Sequence, residues 1–213
     1  MITARNVQNA LYLGLELFRQ AGEIRDSRNG QVIVVPGPVT THYTRPRERV
    51  LFWPQRDANP FFHFFESLWM LAGRNDVAFV SQFAKQMAEY SDDGIFLHGA
   101  YGYRWQYHYR RYGHSEEYFN QLQILIRRLK EDPNDRRCVL SMWDPNADLD
   151  IQSKDIPCNT HVYFSRNFYN QLDMTICCRS NDMIWGGYKT NAVHFSILQE
   201  FMAATIGCDV KDY

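Results

Sequence analysis

The segment Phe61-Phe62-His63-Phe64-Phe65-Glu66-Ser67-Leu68-Trp69-Met70-Leu71 constrains this chain more than any other. Opened by Pro60 and stopped by Ala72-Gly73, it reads as a helix that is apolar almost all round, and such a helix must be covered on most sides. A chain that carries it needs a substantial core. With 213 residues, 45% hydrophobic and 15% aromatic, the sequence can supply one. One carboxylate, Glu66, stands inside the helix. Two readings are open. Either periodicity leaves Glu66 a narrow polar stripe facing solvent, or it is buried, at a cost of several kcal/mol unless it is paired or serves chemistry.

The remaining segments place that helix in an order. Thr3 to Gln20 predicts an amphipathic helix through Val7, Ala10, Leu11, Leu13, Leu15, Leu17 and Phe18, closed by Ala21-Gly22. Ser27-Arg28-Asn29-Gly30 is a turn signal, and the β-branched run Gln31 to Val35 after it predicts a strand ended by Pro36-Gly37-Pro38. Ser115 to Lys130 reads as a helix and Cys138 to Trp143 as a strand. His161–Ser165 and Leu172–Cys178 read as hairpin strands, and Thr190 to Ile206 as a long buried helix. Helix, strand, helix, a run of strands and a last helix predict an α+β fold, not a repeated βαβ. No repeat or long polar linker divides residues 1–213, which are read as a single domain.

Charge and cysteine usage exclude several classes. Lys and Arg number 23 against 24 Asp and Glu, a formal net charge of −1, so the chain lacks the broad basic footprint of a dedicated nucleic-acid binder. No run approaches the ~18 consecutive apolar residues of a membrane helix, and Met1 to Asn6 lacks the apolar core of a signal peptide. A soluble cytoplasmic protein without a membrane partner is expected. The cysteines Cys138, Cys158, Cys177, Cys178 and Cys208 are odd in number and show no C-x-x-C spacing, so neither a disulfide framework nor a metal site is expected.

Chemistry concentrates in a few places. Cys158, in Pro157-Cys158-Asn159, precedes a strand, where a thiol can meet substrate; a small core cysteine is the plainer alternative. Arg136-Arg137 is either solvated turn charge or a phosphate clamp. Arg179-Ser180-Asn181-Asp182 offers guanidinium, hydroxyl, amide and carboxylate in succession, which suits an anionic, hydroxylated ligand. Gly186-Gly187 then permits close backbone approach ahead of Asn191.

In this order the motifs resemble those of the thymidylate synthases and their pyrimidine-nucleotide hydroxymethylase relatives, over most of the chain. Ser27-Arg28-Asn29-Gly30 matches the phosphate loop, Glu66 to Gly73 the glutamate helix, and Gly99-Ala100-Tyr101-Gly102-Tyr103-Arg104-Trp105 the tyrosine loop. Pro133 to Arg137 matches the twin arginines, Pro157-Cys158 the nucleophile, and Arg179 to Asp182 with Gly187 and Asn191 the phosphate and pyrimidine contacts. The resemblance implies a mixed sheet packed with helices, one sheet face used for dimerisation. It also implies a one-carbon transfer from 5,10-methylenetetrahydrofolate to carbon 5 of a pyrimidine deoxynucleotide monophosphate through a covalent cysteine adduct. Cys158 would be the nucleophile, Glu66 the general acid/base, and Tyr101 part of the proton-removal side. Asp182, near folate with Gly187, would complete the catalytic set. Arg28, Arg179 and Ser180 would hold phosphate, joined by Arg136 and Arg137 of a second subunit in a homodimer. Asn159 and Asn191 would meet the base, and an amide at Asn191 makes dUMP the expected substrate ahead of dCMP.

Four departures sharpen the expectation. Asn159 stands where thymidylate synthases ordinarily have histidine, and Gln86 to Gly94 lacks the tryptophan placed over the folate-bound intermediate. Both favour hydroxymethyl over methyl product, because water can then intercept the exocyclic methylene. One extra residue separates Arg179 from Asn191. The family's ribose-binding His-x-Tyr and folate-closing tail are not matched, so the chain is expected to be a fragment or a shortened homologue. The alternatives are a catalytically inactive nucleotide-binding homologue and, remotely, a cysteine hydrolase pairing Cys158 with His161 or His194.

Overall fold

The computed structural model describes residues 1–27 and 30–213. Its elements run β1 (Ile2–Ala4), α1 (Val7–Ala21), β2 (Glu23–Ser27), β3 (Gly30–Val34), β4 (Thr41–Tyr43), α2 (Pro60–Leu71), α3 (Val77–Val80) and α4 (Tyr101–Tyr103). They continue with β5 (Arg110–Arg111), β6 (His114–Tyr118), α5 (Gln121–Glu131), β7 (Val139–Ser141), α6 (Pro145–Asp148), β8 (Asn159–Arg166), β9 (Gln171–Cys178), α7 (Asn191–Ile206) and β10 (Asp209–Val210). The fold is α+β, as the order of segments predicts.

The central sheet has the order β10-β9-β8-β7 and is mixed. β7, β8 and β9 are antiparallel, whereas β10 runs parallel to β9 with Asp209 opposite Gln171. The β8–β9 hairpin turns through Asn170, whose φ of 59° lies in the left-handed region that asparagine tolerates. α7 packs between this sheet and α2. Because it is covered on nearly all sides, its buried residues include Val193, Phe195, Leu198, Met202 and Ile206. Each such side chain contributes about 1.5–3 kcal/mol by leaving water. Trp69 and Met70 of α2 and Leu122, Leu125 and Leu129 of α5 complete the same core. At Gly102 an added Cβ would lie 1.9 Å from the Met70 carbonyl oxygen, so α4 presses its backbone against α2 where only glycine fits.

Several boundaries differ from the sequence reading. α1 starts at Val7, not Thr3, because the Asn6 side chain accepts the Asn9 N–H at 3.2 Å and caps it. Ile2–Ala4 is instead a strand, parallel to Thr41–Tyr43. The expected helix from Ser115 is split: His114–Tyr118 pairs with Arg110–Arg111, and α5 begins after the Asn120 cap. Glu23–Ser27 is an additional strand, paired with β3 as an exposed hairpin. A π-helical run, Met183–Thr190, precedes α7. No helix among the described residues is long and apolar enough to cross a membrane.

Candidate active site

Cys158 lies at the mouth of β8, half-buried, its thiol 3.9 Å from the Ile156 carbonyl oxygen. The Tyr101 hydroxyl oxygen sits directly against this point. It accepts the backbone N–H of Cys158 at 3.2 Å and of Asn159 at 3.1 Å, and the Asn159 side-chain N–H at 2.8 Å. With its oxygen so occupied, the Tyr101 O–H is left to donate elsewhere. Burial raises the Tyr101 hydroxyl well above its ordinary range, so it keeps its proton at neutral pH. Asn159 is 1% exposed, and its other end accepts the Cys178 thiol at 2.9 Å. Both ends of the amide expected to meet the base are therefore engaged inside the protein. Burial of the Cys178 thiol, reinforced by Cys158 and Cys177, pushes it up to about 11, so it stays a donor.

Arg179, just past β9, turns back onto the peptide ahead of Cys158. Its Nε donates to the Pro157 carbonyl at 2.8 Å and its Nη2 to that of Ile156 at 3.2 Å, with the guanidinium 5.5 Å above the Trp143 ring. A fixed positive charge beside the Cys158 loop favours thiolate over thiol. The twin arginines are placed differently. Arg137 donates from its backbone N–H and Nε to Asp135, at 2.8 and 3.1 Å, and its side chain stays 78% exposed. Arg136 is exposed beside it. Arg28 lies outside the described residues.

Glu66 is buried, 9% exposed, on the face of α2 that meets α7, so the solvent-stripe reading does not hold. Its Oε2 stands 2.9 Å from Nε2 of His194, itself 4% exposed. The two atoms are not aligned as a well-formed hydrogen bond, and neither has another partner among the described residues. His63, one turn before Glu66, is also buried, and burial together with His194 and Lys189 lowers it to about 3. Asp155 accepts the Gly99 N–H at 2.8 Å and is raised by burial. It lies within electrostatic reach of both Glu66 and Tyr101, which joins this group to the Cys158 side.

The segment after β9 completes the surroundings. Asp182 caps the π-helical run, its Oδ1 accepting the N–H groups of Ile184 at 2.7 Å and Trp185 at 2.9 Å. Ser180 is exposed. The Asn191 side chain donates to the Asn181 oxygen at 3.5 Å. A Cβ at Gly186 would meet that oxygen at 2.7 Å, and one at Gly187 the Asn181 nitrogen at 3.1 Å, so the glycine pair admits both amides against the backbone. A cavity of about 310 Å³ lined by Asp92, Asp93, His98, Tyr103 and His108, among others, contains none of these residues. No cluster able to hold a metal ion occurs among the described residues.

Cys178 and Asp155 are neighbours that sequence reading passed over, and His194, named there only as a remote hydrolase partner of Cys158, is instead paired with Glu66. His194 sits in a predominantly apolar helix, the kind of signal that marks Glu66; the Cys178 contact depends on cross-strand register, which no local pattern carries.

A mixed sheet presenting a thiol at the head of one strand, beside a helix that carries a buried carboxylate, defines a class of α+β proteins with a thiol-centred site. Within it, the chain belongs to the thymidylate synthase family, whose sequence model matches residues 21–213. It is 54% identical over 213 residues to a deoxyuridylate hydroxymethyltransferase of Pseudomonas phage M6, covering 100% of this chain and 58% of that protein. Proteins of the same description match from Bacillus phage SP01, 37% identical over 83% of this chain and 46% of the relative, and from Delftia phage PhiW-14, 32% identical over 100% and 59%. The chain thus spans about half the length of the curated relatives it matches.

Proposed function

We propose that the protein transfers a one-carbon unit from 5,10-methylenetetrahydrofolate to carbon 5 of dUMP through a covalent Cys158 adduct, giving 5-hydroxymethyl-dUMP. The observation that carries this is the Cys158 mouth, where a thiol, a proton-bearing Tyr101 and a bracing Arg179 converge. Relatives described as deoxyuridylate hydroxymethyltransferases support the substrate and product, as does Asn159 in place of histidine.

In this reading the Cys158 thiolate adds to carbon 6 and the electron pair moves to carbon 5. The folate supplies the one-carbon group at formaldehyde oxidation level. Water held at the Tyr101 O–H takes the carbon 5 proton as tetrahydrofolate leaves, since Tyr101 keeps its own proton, and Glu66 holds or gives a proton at the pyrimidine carbonyl. Water adds to the exocyclic methylene and Cys158 is expelled, so dUMP, methylenetetrahydrofolate and water become hydroxymethyl-dUMP and tetrahydrofolate with no hydride transferred. Arg28, Arg179 and Ser180 bind phosphate, and Asn191 the base. Asn159 serves the base through Tyr101. Asp182 and Gly187 face the folate; the Asp182 cap uses Oδ1, which leaves Oδ2 of an exposed residue to accept a pterin N–H, and exposed Trp185 adds an aromatic surface. A homodimer in which Arg136 and Arg137 reach the other copy's phosphate completes the site.

Incubation with dUMP, tetrahydrofolate and formaldehyde, followed by mass spectrometry of the nucleotide, tests the proposal. Addition of CH₂O is expected. A methyl gain would overturn the product, and no gain would overturn the activity. Cys158→Ala abolishes the product while calorimetric binding of dUMP persists; turnover retained in that variant would eliminate the covalent mechanism.

A further inference from the structure

Glu66 and His194 form a buried acid–base pair whose contacting atoms, Oε2 and Nε2, stand 2.9 Å apart with no other partner among the described residues. At that separation a carboxylate and an imidazole nitrogen avoid repulsion only with a proton between them. Two buried groups so placed share whatever proton lies between them, so neither gains or loses one independently of the other. We propose that His194 is the proton-sharing and positioning partner of Glu66, so that the pair takes up and releases one proton together during the reaction. Its two states are a carboxylate with a neutral imidazole, and the same pair carrying one more proton. That proton comes from the pyrimidine or its water and returns there, and no electrons change hands.

The surroundings leave this proton to the pair. His63, on α2, is held neutral chiefly by burial, with His194 and Lys189 acting in the same direction. Asp155, in the loop before Cys158, faces Glu66, and burial raises it, which disfavours a second carboxylate charge there. The loose alignment of the contact is what an acid–base pair shows before substrate tightens it. His194 enters α7 one turn after Asn191, so the element that carries the proposed base contact also carries the proton partner.

The inference rests on Glu66 acting at the pyrimidine as proposed above, and its test separates the two. In the unliganded protein, the His194 ring is followed by NMR titration and assigned by its loss in His194→Gln or, should that variant not fold, His194→Asn. Removing the Glu66 charge by Glu66→Gln should lower the His194 midpoint by about one pH unit or more. An unchanged midpoint overturns the pair whether or not the enzyme turns over dUMP. In the rate–pH profile for tritium release from carbon 5 of dUMP, His194→Gln should move the limb governed by Glu66 upward by about one pH unit or more, because the buried carboxylate loses the imidazole that stabilises its charge. Nucleotide affinity should stay constant. A limb that does not move overturns the inference. Wild-type protein that releases no tritium overturns the proposed function and leaves the NMR result to decide the pair.

Discussion

At Asn159 a single amide sets the direction of a neighbouring proton. Its N–H reaches Tyr101 at 2.8 Å while its oxygen takes the Cys178 thiol at 2.9 Å, so the Tyr101 oxygen is an acceptor on the protein side and its O–H points away from it. Asn159→Asp keeps the shape and removes the donor. The Tyr101 proton would then turn inward to the carboxylate and leave the reacting side. Tritium release from carbon 5 of dUMP is expected to fall by about a hundredfold, with calorimetric affinity for dUMP little changed. Undiminished release would show that this amide does not orient Tyr101. Residues of this kind divide by how they can be read. Glu66 was legible because a carboxylate in a phenylalanine-rich helix contradicts its surroundings. The engagement of Asn159 was not, because Cys178 comes opposite it through cross-strand pairing, across 19 residues of chain.

At the level of elements, the segments most legible in the sequence were those with strong periodicity and their own stop signals, α2 and α7 above all. The misplaced helix starts share one cause. Apolar residues that extend a helical pattern, such as Tyr118 and Phe119, were counted ahead of the asparagine caps, although Asn6 and Asn120 fix where the helices begin. The placement of α4 rests on something no pattern announces. Arg104, 0% exposed, pairs with Asp148 through two contacts of 2.7 and 2.8 Å and donates to the carbonyls of Met142 and His98. This knot ties the turn after Tyr101 to the end of β7 and to α6. Burial alone would push Asp148 up, but Arg104, the Asp144 N–H and His98 together hold it below its ordinary 3.8. A carboxylate depressed in the folded state contributes stability above its unfolded value and loses it as pH falls through the folded one. The knot therefore holds at neutral pH and weakens in acid, below about pH 4. Asp148→Asn strands the buried guanidinium and should cost about 3–5 kcal/mol in urea unfolding at neutral pH, with a smaller difference from wild type in acid. Equal stability at neutral pH would mean that Arg104 finds another partner.

For the whole molecule, the sheet register decides what one copy can do alone. Val139, the first residue of β7, pairs with Tyr163, five strand positions from Cys158, and Arg137 lies two residues beyond that end of the strand. At about 3.3 Å per residue Val139 is already roughly 16 Å along the sheet from Cys158, which sets Arg137 well apart from the nucleophile of its own chain. Arg137 is also anchored to Asp135, with its side chain largely exposed. If these arginines bind the phosphate beside Cys158, a second copy is expected to bring them, and a two-fold dimer would do so reciprocally. Complementation reads this directly. Cys158→Ala lacks the nucleophile but retains its arginines, whereas the double variant Arg136→Ala, Arg137→Ala lacks the arginines but retains the nucleophile. In a two-fold dimer of one copy of each, one site has both and the other has neither. Equal mixing after subunit exchange makes half the dimers mixed, so activity should return to about a quarter of wild type from two nearly inactive parents. Native mass spectrometry establishes that mixed dimers form. Mixed dimers without recovered activity would show that the twin arginines serve no site across an interface, and their exposure would then be that of solvated turn charge.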